Sequence, residues 1–161
     1  MAPSYVQAGP VGGTGGDEVS PWAMPNDGTI VRIEVKWGAY INQLLFHYAS
    51  PSSGQGVISL GGYTSGTNHV DIPLAQGEQI MSLGGKCGEY VDSITLVTST
   101  PGTPNRFVKE YGSFGGPGGQ PFAQFDVPQG ARFAGLFGRA GAWTDALGVV
   151  YFLTPLTAPH A

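Results

Sequence analysis

Apolar residues fall along this chain in short runs, each bounded by glycine, proline, asparagine or serine. Ile30-Val31-Arg32-Ile33-Glu34-Val35-Lys36-Trp37 alternates at the period of a half-buried strand, and 43–48 reads as the strand returning beside it. Further strands are predicted at 57–60, 70–74 and 78–83, and in the run ending near Thr98. Strands at 106–111, 122–127 and 132–137, and a last one reaching Leu153, complete the set. No segment keeps a helical period between caps. Residues 1–8 read as a loose N-terminal arm, 9–154 as one domain and 155–161 as a C-terminal tail. The polar, proline-punctuated stretch 17–27, which carries Trp22, reads as an exposed connection. The pattern predicts an all-β fold of three rounds of about four strands, starting near residues 30, 57 and 106. Three antiparallel sheets around a pseudo-threefold axis would let each bury its inner face against the other two.

A phrase recurs across these rounds. Lys36-Trp37-Gly38-Ala39-Tyr40-Ile41-Asn42, Lys86-Cys87-Gly88-Glu89-Tyr90-Val91-Asp92 and Arg139-Ala140-Gly141-Ala142-Trp143-Thr144-Asp145 share a pattern. Each has a basic residue, a glycine two positions on, an aromatic, then an acid or its amide, at a period of about 50 residues that marks an internal repeat. Three glycine loops accompany the phrases: 9–16, Gly61-Gly62-Tyr63-Thr64-Ser65-Gly66, and Gly115-Gly116-Pro117-Gly118-Gly119.

Composition narrows the function. The chain has 161 residues, of which 27 are glycine and only 11% charged, and its net charge is −4. It has no basic stripe, which argues against nucleic-acid binding through phosphates. One cysteine, Cys87, excludes an internal disulfide and has no evident base beside it. His47, His69 and His160 lack metal-ligand spacing, and Asp17, Glu18, Asp71 and Asp126 form no catalytic pair. The expectation is a protein without enzymatic activity, metal or cofactor. Without an apolar span or a signal-peptide start, no membrane insertion and a cytoplasmic location are expected.

The glycine loops paired with Gly-x-x-x-Asp phrases, above all 114–119 and 141–147, resemble the jacalin-related lectins over about residues 9–154. The resemblance implies a β-prism I fold of three four-stranded Greek-key sheets, and metal-independent sugar binding with no reaction. It implies one hexose site where Gly16 faces Gly141, Ala142, Trp143 and Asp145, and a second where Gly119 faces Gly88, Glu89, Tyr90 and Asp92. A degenerate third would set Gly62 against Gly38, Ala39, Tyr40 and Asn42, with an amide in place of the carboxylate. The chemistry suits the residue types. An ionised aspartate accepts from two sugar hydroxyls at once. Backbone N–H groups such as those of Ala142 and Trp143 donate to sugar oxygens, and glycine lets a hexose approach the backbone. The aromatic either walls the sugar's C–H face or packs beneath the loop. Gly16 follows fifteen residues in an uncut chain, which resembles the mannose/glucose branch of the family. The implied partners are mannose- and glucose-containing glycans and glycoproteins, met by a homo-oligomer of two or more chains. The alternative is a prism that no longer binds sugar and meets protein partners through Trp22 and the 17–28 stretch.

Overall fold

The computed structural model describes residues 4–62, 66–101 and 107–153. Arg106 and the expected tail at 155–161 lie outside them. Every described element is a strand: β1 (Ser4–Gly12), β2 (Asp17–Ala23), β3 (Thr29–Trp37), β4 (Ile41–Ser50), β5 (Gly54–Gly61), β6 (Asn68–Pro73), β7 (Gln79–Cys87), β8 (Val91–Thr100), β9 (Phe107–Gly115), β10 (Gln120–Pro121), β11 (Phe125–Asp126), β12 (Ala131–Ala140) and β13 (Thr144–Leu153). They form three antiparallel sheets with orders β1-β13-β12-β2, β5-β4-β3-β6 and β10-β7-β8-β9, with β11 also on β7. In the second and third sheets the last strand returns to lie beside the first, the Greek-key arrangement. The first sheet has the same order once the chain is read through its ends: β12 and β13, then β1 and β2.

Alternation builds the core. Ile33 and Val35 on β3, Leu44 and Phe46 on β4, Ile58 and Leu60 on β5, Leu83 on β7 and Ile94 and Leu96 on β8 are all buried, as are Leu136 and Val149. Each sheet thus turns one apolar face to the shared axis. The opposite faces carry polar networks. On β3, Glu34 accepts from His69 Nε2 at 3.0 Å and bonds His47, whose ring lies against Arg32. These contacts, that with His47 first, hold Glu34 below the usual carboxylate range. The two histidines are therefore structural. Burial alone would raise the carboxyl of Glu78, but Thr98 Oγ1, Ala75 N and Tyr111 Oη donate to it and hold it low.

Four expectations change. From Ser4 onward the supposed loose arm is β1, paired with β13 from Ser4↔Leu153 to Gly12↔Ala146. Residues 17–23 of the supposed connection are β2, paired with β12. Pro21 hid this strand in the sequence, yet it sits on an edge strand, where a missing N–H is tolerated. The stretch 122–127 is not one strand: β10 and β11 share one edge of β7 and are split at 122–124. Finally, the expected rounds are out of phase by one hairpin. β5 and β6 belong with β3 and β4, because the tight turn after Ser50 folds β5 straight back onto β4 in an unbroken register from Ser50↔Gly54 to Gln43↔Gly61.

Candidate functional site

The three phrases are the hairpin turns β3–β4, β7–β8 and β12–β13, and they close one end of the prism. Each is tied the same way: Gly38 N donates to Tyr40 O at 3.0 Å, Gly88 N to Tyr90 O at 2.9 Å and Gly141 N to Trp143 O at 3.0 Å. The strand leaving each turn first points Ile41, Val91 or Thr144 into the interior. By alternation the next residue, Asn42, Asp92 or Asp145, points the other way. There it meets a glycine loop.

The loops are fixed by equivalent bonds. Gly13 N donates to Asp145 O at 2.8 Å, Gly116 N to Asp92 O at 2.9 Å and Gly62 N to Asn42 O at 2.7 Å. Beyond that anchor each loop brings a left-handed glycine against the side chain. A Cβ on Gly16 (φ +67°) would lie 2.6 Å from Asp145 Oδ1, and one on Gly119 (φ +81°) 2.5 Å from Asp92 Oδ1. The second carboxylate oxygens meet Gly15 and Gly118 at 2.8 and 2.9 Å by the same measure. At Gly16 and Gly119 the left-handed backbone and the close main chain of Ala140 and Cys87 leave room only for glycine. The structure thus places Gly16 against Gly141 and Asp145, and Gly119 against Asp92 and the main chain of Cys87. In the first phrase the amide of Gly62 reaches Asn42 O, but the glycine facing the Asn42 side chain is Gly66 (φ +69°), 2.6 Å from Oδ1 by the same measure.

Both carboxylates are mostly covered, Asp145 at 4% and Asp92 at 6% exposure. Burial pushes both above the ordinary aspartate value of 3.8. For Asp145 the Gly141 N–H and the nearby Arg139 charge offset part of this. Arg139 does more: its Nε and Nη2 donate to Gly15 O and Gly16 O at 2.9 and 2.8 Å, holding the loop in place. Asp145 also lines an open depression with Gly13, Thr14, Gly15, Gly88, Glu89 and Tyr90. The first loop and the second phrase therefore share a wall.

The aromatics do not lie apart as separate sugar platforms. Tyr40, Tyr90 and Trp143 pack on one another, with ring centroids 4.6 Å (Tyr40–Tyr90), 4.9 Å (Tyr90–Trp143) and 5.5 Å (Tyr40–Trp143) apart. The loops interlock around them. A Cβ on Gly13 would meet Glu89 O at 2.0 Å, one on Gly116 Ala39 O at 2.1 Å, and one on Gly62 Ala142 O at 2.0 Å. Each loop thus braces the turn of a neighbouring sheet while anchoring to its own. Thr144 Oγ1 adds a bond to Asn42 O at 3.3 Å.

The sequence matches the jacalin-like lectin domain over residues 8–150. The chain belongs to the jacalin-like lectin family. Horcolin of Hordeum vulgare is 33% identical over 157 residues, covering 93% of this chain and 97% of that protein. The mannose/glucose-specific lectin of Parkia pendula is 34% identical over 160 residues, which are 95% of this chain but 33% of that longer protein. The structure of Malaysian banana lectin superposes with a TM-score of 0.72 at 28% identity, covering 94% of this chain and all of that one. That of the mannose-binding lectin from Champedak superposes at 0.75 and 22% identity, with 94% and 99% covered, a likeness of fold. This family and fold are those of carbohydrate-binding lectins, and the three sheets form its β-prism.

Four residues escaped the sequence reading. Gly66 was hidden because its loop is one residue longer than the others, which puts Gly62 at the position expected for it. Gly15 and Gly118 were present in the repeat but not separated from their neighbours. Arg139 recurs in type at Lys36 and Lys86, and only its length and fork explain why it alone clamps a loop.

Proposed function

We propose that this chain binds mannose- and glucose-bearing glycans, without a metal ion, at two hexose sites centred on Asp145 and Asp92. The observation that carries this reading is the repeated pairing of one carboxylate with a side-chain-free loop: Gly15 and Gly16 on Asp145, Gly118 and Gly119 on Asp92. Two oxygens of one fixed carboxylate accept from two neighbouring hydroxyls, and the turn's backbone N–H groups supply donors. Gly16 lies inside a continuous link between β1 and β2, so its nitrogen is an amide and not a free amine, in keeping with the mannose/glucose branch. The names of the Parkia and Champedak proteins point the same way. Association into an oligomer would multiply weak single-site affinities on a branched glycan by roughly 10²–10⁴. Titration calorimetry with methyl α-mannoside tests the reading. Two sites per chain are expected. No heat with mannoside or glucoside would leave a prism that meets only protein partners, with Trp22, exposed on β2, as the natural contact.

Two further outcomes follow from the geometry. Asn42 occupies the same position as the two aspartates and Gly66 the same position as Gly16 and Gly119. Asn42→Asp restores the missing charge, and calorimetric stoichiometry is expected to rise from two toward three.

The second outcome concerns pH. Binding requires the ionised carboxylate, and burial raises both folded pKa values above 3.8. Affinity should therefore begin to fall while the pH is still above 3.8, then by about tenfold per pH unit below each folded pKa. The stability linkage has the opposite sign. A carboxyl raised in the fold disfavours folding when ionised, and that penalty is relieved as pH falls through the folded value. Acid should thus weaken sugar binding without these two groups weakening the fold, which mannoside titrations and thermal melts across the same pH series would check.

A further inference from the structure

We propose that Tyr40, on the one phrase that has no carboxylate, is a positioning residue for both sugar sites. The proposal rests on the lectin reading above.

The first phrase has an amide where the other two have a carboxylate, yet it carries an aromatic ring as they do. That ring touches both others, Tyr90 at 4.6 Å and Trp143 at 5.5 Å between centroids. Each partner ring grows from the turn whose main chain serves a site. Tyr90 lies two residues before Asp92, and Trp143 two before Asp145. A ring fixed at its tip fixes the Cα it grows from, and so the direction of the adjoining peptide N–H. Hydrogen-bond strength depends steeply on that direction.

The surrounding main chain makes the ring contacts matter. The Glu89 turn is braced from outside by Gly13 and the Ala142 turn by Gly62, each packed against a carbonyl with no room for a Cβ. Outside stand loops, inside stand rings, and the turn is held between the two. Tyr40 is the only member of the triad whose own phrase has no aspartate to serve. Its ring contacts complete the support of the other two turns. The claim concerns the ring. The hydroxyl is not part of it, since the contacts are between ring centroids.

The test uses the full chain and methyl α-mannoside. Tyr40→Ala is placed in an Asp92→Ala background, which reads the Asp145 site alone, and in an Asp145→Ala background, which reads the Asp92 site alone. Losing two aromatic contacts should weaken each site by roughly 3- to 10-fold. Tyr40→Phe should restore both. A second readout needs no sugar: amide hydrogen exchange at Tyr90 and Trp143 should quicken in Tyr40→Ala and return to the parent rate in Tyr40→Phe. If Tyr40→Ala does not fold, Tyr40→Leu keeps apolar bulk without the ring and takes its place. Unchanged exchange, weakening confined to one site, or no rescue by Tyr40→Phe would each overturn the proposal. A parent chain that gives no mannoside heat defeats the lectin reading instead, and the exchange rates still decide whether Tyr40 holds the two turns.

Discussion

Asp92→Ala combined with Asp145→Ala is expected to remove mannoside binding altogether, while either change alone halves the number of sites. Each aspartate sets its carboxylate directly against its glycine loop, Asp92 at Gly118 and Gly119 and Asp145 at Gly15 and Gly16. A hydrogen bond to a charged group contributes about 1.5–3 kcal/mol, so its loss weakens a site by about 10- to 150-fold. A single shallow hexose site has little affinity to spare, and that factor moves it out of the measurable range. Calorimetry counts the sites directly. Thermal melting separates lost binding from lost folding. Since burial raises both carboxyl groups, neither charge favours the fold, and the double variant should melt within a few degrees of the parent. Undiminished binding in the double variant would show that the sites lie elsewhere on the prism.

The second large effect is expected at Gly62→Ala. A Cβ there would lie 2.0 Å from Ala142 O and 2.1 Å from the carbonyl carbon. Both are main-chain atoms of a hydrogen-bonded turn, so no side chain can swing aside to make room. Overpacking of this kind costs about 1–3 kcal/mol, which lowers the melting temperature of a chain this long by about 2–12 °C. What strain remains in the folded protein falls on the Ala142 turn. Mannoside affinity should therefore drop at the Asp145 site and stay near the parent value at the Asp92 site. Gly38→Ala is the matched control, since the nearest atom to its Cβ would be Thr67 Oγ1 at an ordinary 3.6 Å. Equal melting of the two variants would refute the tight contact.

Much of this was legible in the residues because the repeat states it three times. Alternation located β3, and short apolar runs located β4, β7, β8, β12 and β13. Of the edge strands, β5, β6 and β9 were also readable as short apolar runs, but β1 and β2 were not. β1 is almost wholly exposed and β2 contains Pro21, so neither carries the period that marks a half-buried strand. Their partners lie at the other end of the chain, and no local pattern reports a pairing such as Ser4 with Leu153. The candidate sites were readable wherever loop and phrase kept their lengths, at Gly16 with Asp145 and Gly119 with Asp92. One extra residue in the second loop was enough to misplace its glycine, Gly66. The aromatics posed a different problem. Residue type allows Tyr90 and Trp143 to meet either a sugar or each other, and only the geometry around the axis decides that they meet each other.

The sheet that carries Asp145 joins the first two strands of the chain to the last two. During synthesis β1 and β2 emerge with nothing to pair with, and they must wait until residue 153 has left the ribosome. The sheets holding Asn42 and Asp92 each draw on one continuous stretch, so they can assemble in the order they are made. The sheet that carries Asp145 is then the last of the three that can be completed, since β1 pairs with β13 and β2 with β12.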